Sequence, residues 1–187
     1  KHHPEIDTWI HVRMCLQQAV KLSPSIAVRF AALIHDLGKG LTPECEWPQH
    51  IGHEGKGIQL VSNLCARLRV PNEVKELSLL VCEFHTHVHR AKELTPKKVL
   101  KVVNRADGHR KPERFENFLL ACEADARGRT GFENTLYPQR TYISEVGERI
   151  RNIDIKPLIE EGLQGAKLGE AIHKKRLDVI KQVKEQY

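Results

Sequence analysis

The sequence lacks the features that would place it in several large protein classes. No run approaches the ~18 uninterrupted apolar residues that a membrane span needs, and no signal peptide is legible at its start. The chain opens KHHPEIDTW without an initiator methionine, which reads as a piece of a longer protein. It has five cysteines, Cys15, Cys45, Cys65, Cys82 and Cys122, an odd number with wide spacing. No CxxC pair occurs, which argues against a thiolate zinc site or a redox motif. Cys15, Cys65, Cys82 and Cys122 sit among apolar helical positions and read as small buried hydrophobes. Such usage fits a reducing, cytoplasmic compartment. Phosphate loops of the GxxxxGK[ST] type, the GxSxG elbow, HExxH and the GS…DxD pattern of nucleotidyl transfer are all missing. This stretch by itself is therefore not expected to add nucleotides.

What is present is enough for a folded core. The 187 residues are 40% apolar and 29% charged, too apolar for disorder and long enough to bury a core without staples. Alternating β-branched patterns are nearly absent and 3.6-residue periodicity dominates, so the expected fold is all-α, a helical bundle with a helical C-terminal tail. Expected helices run from about 7 to 22, from Ser23-Pro24 to Gly38, 53 to 68, 71 to 89, 95 to 108, 112 to 128, 141 to 152, 157 to 161, and 167 to the end. The stretch from Gly128 to Pro138 reads as an exposed loop. A boundary there divides the chain into a body, 1–130, and a tail, 131–187. In the tail, Leu168, Ile172, Val179, Ile180 and Val183 share one helical side and read as packing onto the body.

The unusual number is eleven histidines. The segment Ala31-Ala32-Leu33-Ile34-His35-Asp36-Leu37-Gly38-Lys39-Gly40 places His35 on the apolar stripe of Val28, Ala31 and Ala32. Asp36 falls in the last turn of the same helix. A carboxylate there opposes the helix dipole, and burying it unpaired costs several kcal/mol. A divalent cation removes both penalties. The pattern recurs in other helices. His53 shares a stripe with Gly57, Leu60 and Leu64, His85 with Val74, Leu77 and Val81, and Asp107 with Val99 and Val103. His11 lies beside Val12 at the edge of the first apolar face. Any one of these alone reads as a core histidine held by a hydrogen bond. Together, His11, His35, Asp36, His53, His85 and Asp107 aim one chemistry at one core from five helices. His89 and His87 rival His85, and His50 rivals His53. His109 and His173 read as surface groups, and His2 and His3 as terminal.

Imidazole and carboxylate donors without sulfur suit Mg²⁺, Mn²⁺, Ni²⁺ or Co²⁺, and six of them suffice for one or two ions. Two such ions a few ångströms apart are a known arrangement for phosphoester hydrolysis. The expected catalytic groups are His35, Asp36 and Lys39, the last as a point charge on a phosphate oxygen. The net charge of +6 concentrates between Arg90 and Arg114, where nine Lys or Arg face three acids. Arg90, Lys97, Lys98, Lys101, Arg105, Arg110 and Lys111 are the expected RNA-backbone contacts, the alternative being a solvated helical face.

The set His11…His35-Asp36…Asp107 resembles the HD superfamily of metal-dependent phosphohydrolases, and His53 and His85 resemble the added ligands of its dinuclear members. Further afield, HPEIDTWIH, ALIHDLGKGLTP, CEADARGR and GLQGAKLGEAIHKKRLDVIKQV resemble the C-terminal half of bacterial tRNA nucleotidyltransferases of the gamma-proteobacterial, multifunctional CCA-adding type. That resemblance implies a missing nucleotidyltransferase head. It also implies a phosphohydrolase acting on 2′,3′-cyclic nucleotides and 2′-nucleotides, with phosphatase activity, in tRNA 3′-end maturation and repair. Its implied partners are tRNA and those small nucleotides, without a membrane, and self-association would run through the full-length protein. Two other readings stay open: a tRNA-binding module with a silent HD site, and an HD nucleotidase acting on free mononucleotides.

Overall fold

The computed structural model describes residues 7–187; His2 and His3 lie outside them. Among the described residues every regular element is helical and none is a strand. The elements are α1 (Thr8–Leu22), α2 (Ile26–Ile34), α3 (His53–Arg67), α4 (Asn72–His89), α5 (Pro96–Arg105), α6 (Pro112–Arg127), α7 (Pro138–Arg151), α8 (Lys156–Glu160) and α9 (Gly165–Lys184). Short 3₁₀ turns cover Leu37–Leu41 and Glu44–Glu46. No helix among them is long and apolar enough to cross a membrane.

Local chemistry explains most boundaries. Asp7 caps α1 by accepting from the Trp9 backbone N–H at 2.8 Å. Proline opens α5, α6 and α7, where its fixed φ fits the first turn and its missing N–H costs nothing. The sequence pattern had assigned Pro138 to the preceding loop, so α7 starts three residues earlier than the periodicity suggests. The larger difference lies in the second helix. It stops at Ile34 rather than reaching Gly38, and His35-Asp36 form a turn leading into the 3₁₀ segment. Asp36 therefore stands in a bend between two short helices and not inside a last helical turn.

The core gathers α1, α2, α4, α5, α6, α7 and α9. Ala31 and Ala32 of α2, Val81 and Phe84 of α4, Val99 and Val103 of α5, and Phe118 and Leu119 of α6 form one buried cluster. Tyr142, Ile143 and Val146 of α7 and Ile180 and Val183 of α9 belong to that same cluster. The apolar side read in the tail thus packs onto the body through Ile180 and Val183, with Val179 partly buried beside them. A smaller cluster of Ile34, Val61, Cys65 and Cys82 ties α2, α3 and α4 together.

Two close approaches set the spacing at one end of the bundle. A Cβ on Gly38 would stand 1.9 Å from the His53 carbonyl oxygen and 2.6 Å from the Gly57 nitrogen, so only glycine lets the turn after Asp36 lie against α3. A Cβ on Gly128 would meet the Cys15 backbone at 2.7 Å, so the end of α6 touches α1 at that residue. Both contacts are backbone to backbone and cannot relax by a rotamer change. Gly128→Ala is expected to lower stability by about 1–3 kcal/mol in a denaturant titration. An unchanged midpoint would mean that α1 and α6 separate at little cost.

Candidate metal centre

The glycine contacts bring four histidines and two aspartates into one buried place. His11 comes from α1, His35 and Asp36 from the turn after α2, His53 from the first residue of α3, His85 from α4 and Asp125 from α6, and all six are buried. Each histidine is oriented the same way. Nδ1 of His11 lies 2.9 Å from the Gly128 carbonyl, that of His35 2.9 Å from Ala32, that of His53 2.9 Å from His50, and that of His85 2.9 Å from Val81. A carbonyl oxygen only accepts, so Nδ1 donates in all four rings and leaves Nε2 of each as the atom that faces the centre. Metal-binding histidines are fixed in this manner by their second nitrogen.

Those Nε2 atoms converge on Asp36. Its Oδ2 lies 3.3 Å from His35 and 3.6 Å from His11, while its Oδ1 lies 3.2 Å from His53 and 3.7 Å from His85. Asp125 completes the first pair, with Oδ1 3.1 Å from His11 and 3.5 Å from His35. One carboxylate therefore faces a histidine pair on each side. His35 Nε2 and both Asp36 oxygens are buried without a hydrogen-bond partner among the described residues, although the Lys39 ammonium stands 2.5 Å from Oδ2 as a charge partner. His53 Nε2 and His85 Nε2 face each other at 3.2 Å. With both Nδ1 atoms donating elsewhere, two ring nitrogens at that distance can meet only across a proton or a cation. The donor set and its orphaned atoms fit divalent cations held on either side of Asp36.

Electrostatics without an ion agree. Burial alone would lower the His35 pKa, but the Asp36 and Asp125 carboxylates outweigh it and lift it from 6.5 to about 10. Burial would raise both carboxyls, yet the His35 charge beside them holds each well below the usual range. His85, fully enclosed and next to cationic His35, is pushed down to about 3 and stays neutral. For His53, burial is again outweighed by Asp36 and the pKa rises. Without an ion, the two carboxylates thus favour the protonated forms of His35 and His53, and burial beside His35 favours neutral His85.

The sequence matches a known family. The family model of the HD domain matches residues 8–111, more than half of the chain. The chain belongs to the HD domain family. This HD domain is similar to the Multifunctional CCA protein of Teredinibacter turnerae, 51% identical over 183 residues that are 98% of this chain and 44% of that protein. It is similar to those of Ectopseudomonas mendocina, 50% identical over 100% of this chain and 45% of that protein, and Pseudomonas aeruginosa, 49% identical over 99% and 45%. The chain thus spans less than half the length of these curated relatives. No solved structure matches it.

Five of the six expected ligands of this HD domain meet; the sixth does not. Asp107 follows α5 in a left-handed conformation, φ 56°, with its carboxylate turned to the Arg110 guanidinium at 2.8 Å and towards His109 at 3.9 Å. Arg110 holds its carboxyl below the ordinary range. Helix α5 packs on α9, α4 and α7, away from the turn after α2. Asp125 takes the place assigned to Asp107. The signal for it was legible: Asp125 shares a stripe with Phe118, Ala121 and Cys122, lies in the last turn of α6 and falls within CEADARGR. It also lies beyond residue 111, where the family match ends. Cys15, expected as an inert hydrophobe, touches the centre, with Sγ 3.4 Å from His11 Nε2.

The rival histidines have separate places. His89 binds Asp125 Oδ2 through Nε2 at 2.6 Å, and its Nδ1 lies 2.7 Å from the Tyr137 hydroxyl. It orients the carboxylate rather than joining the converging rings. His50 pairs with the Thr42 hydroxyl at 2.5 Å. The basic run is split. Arg90 and Lys98 line a cleft of about 520 Å³ over the centre, joined by Lys39 and Arg129. Lys97 is exposed and Lys101 lies 6.0 Å over the Phe84 ring. Arg105 pairs with Glu83, Arg110 with Asp107, and Lys111 lines a different groove beside Glu76.

Titration calorimetry with Mn²⁺ separates the two aspartates: Asp125→Asn should weaken binding by at least about tenfold, and Asp107→Asn should leave it within about twofold of the parent. An ion must displace the His35 proton, so affinity for the parent chain should climb with pH and level off above about 10. Equal losses in the two variants would count against Asp125, and an affinity flat between pH 6 and 9 against a protonated His35.

Proposed function

We propose that this HD domain is a metal-dependent phosphohydrolase, acting on 2′,3′-cyclic phosphodiesters and 2′-nucleotides and, with lower selectivity, on simple phosphomonoesters, within a longer tRNA CCA-type protein. The observation that carries this reading is the division of Asp36, with one oxygen facing His11 and His35 and the other facing His53 and His85. Divalent cations, when bound between these groups, supply an activated water and neutralise charge on the phosphoryl group. The protein supplies the rest. Lys39 stands at the Asp36 side of the cleft, within reach of a non-bridging phosphate oxygen. Arg90, Lys98 and Arg129 give the cleft a cationic wall that favours a phosphate ester. His50 and His87 line the same cleft; burial holds both pKa values below 6.5, so each is neutral at physiological pH and able to accept a proton.

Residues 1–130 carry the hydrolase and 131–187 brace it, a division supported by Tyr137, which reaches back to His89 and through it to Asp125. The substrate preference rests on the likeness to CCA proteins, and the cytoplasmic setting on the unpaired cysteines. Mg²⁺, Mn²⁺, Ni²⁺ and Co²⁺ all suit the nitrogen and oxygen donors.

With added Mn²⁺, Ni²⁺ or Co²⁺ the chain should turn over 2′,3′-cyclic AMP, and His35→Ala should lower kcat/KM by more than about 100-fold with the circular dichroism spectrum retained. Turnover unchanged in that variant sinks the reading.

A tRNA acceptor end is the proposed larger partner, lying across the cleft mouth on Arg90 and Lys98 with exposed Lys97 and Lys101 alongside. Replacing Lys97, Lys98 and Lys101 together by Glu should weaken tRNA binding and flatten its dependence on salt. Identical salt slopes for parent and variant would leave the basic run as a solvated surface.

A further inference from the structure

Cys15 lies one helical turn beyond His11 on α1, so the two side chains share a face. Its Sγ is fully buried, 3.4 Å from His11 Nε2 and 3.9 Å from Asp125 Oδ1. The same Oδ1 is 3.1 Å from His11 Nε2 and 3.5 Å from His35 Nε2. One ligand atom from each of His11, Cys15, His35 and Asp125 lies within 4.8 Å of all the others. A tetrahedral ion with bonds of about 2.0–2.3 Å holds its donors about 3.3–3.8 Å apart. The separations around this quartet straddle that range. The buried His35 Nε2 has no hydrogen-bond partner among the described residues and belongs to the quartet, so an unpartnered polar atom points into this place beside the thiol.

We propose that Cys15 gives this centre a second donor set, in which His11, Cys15, His35 and Asp125 enclose one thiophilic divalent cation, zinc or cadmium, in place of the ions used for hydrolysis. The inference rests on reading the site as a metal centre. Sulfur sorts the cations: magnesium and manganese prefer the oxygens of Asp36 and Asp125, whereas zinc and cadmium favour a thiolate. Coordination exchanges the S–H bond of Cys15 for an S–metal bond, the proton leaves to solvent, and no electron is transferred. An ion held by this quartet does not draw on the facing pair of His53 and His85, which meet the other oxygen of Asp36. The soft cation therefore competes with the ions of hydrolysis for His11, His35 and Asp125.

The test uses the whole chain, metal-free, in a Cys45→Ser background that removes the one exposed thiol among the described residues. Cadmium titration should produce a thiolate-to-metal charge-transfer absorption that saturates at one equivalent, with cadmium NMR in the sulfur-ligated range. Cys15→Ala and Cys15→Ser should abolish both signals and lower cadmium affinity by at least about tenfold, with a smaller change for manganese. Cadmium bound without a sulfur signature, or with undiminished affinity in Cys15→Ala, overturns the proposal. Should the variants fail to fold, cadmium NMR of the unmutated Cys15 protein decides by itself. Manganese binding with no sulfur-ligated cadmium rejects this inference alone; a chain that binds neither ion rejects the metal-centre reading with it.

Discussion

A carboxylate sealed inside a helical bundle must find positive charge or lose its own, and in this protein Asp36 is that carboxylate. It is buried where the chain leaves α2, and nitrogen donors face both of its oxygens. The surrounding architecture serves that encounter. Gly38 lets the following turn press against α3 so that His53 arrives, and Gly128 lets α6 press against α1 so that His11 gains its carbonyl partner. Their effect is positional, setting donor separations that a displacement of a single methyl group would spoil.

Orientation is imposed from outside the converging atoms. Backbone carbonyls of Gly128, Ala32, His50 and Val81 fix the tautomers of four rings, and His89 with Tyr137 fixes Asp125. Because Tyr137 immediately precedes α7, the helices after residue 130 are connected to the centre by two hydrogen bonds as well as by the shared core of Tyr142, Ile143 and Ile180. Asp36 and Asp125 raise the proton affinity of His35, and Asp36 raises that of His53. Both rings face places that a cation fits, so metal affinity and proton affinity compete at the same atoms.

The helical architecture was legible throughout because apolar residues recur at helical spacing and because Pro96 and Pro112 open helices where their chemistry permits it. The extent of α2 was not, because nothing local forbids a helix from continuing through His35 and Asp36; the close approach of Gly38 to α3 ends it. His11, His35, Asp36, His53 and His85 were legible from facing apolar stripes. Asp107 and Asp125 satisfied the same rule, each on an apolar face near a helix end, and only the packing of α5 on α9 against that of α6 on α1 separates them.

Sequence by itself determined the membership of the helices, the apolar faces they bury and the kind of atom, imidazole nitrogen or carboxylate oxygen, that reaches the interior. Those properties follow from periodicity and side-chain chemistry, which are local. Tertiary structure decided which aspartate joins the histidines, that a thiol stands beside them, and that the basic run divides between cleft and outer surface. Distances between groups far apart in the chain depend on how helices dock, and no period in the sequence encodes them.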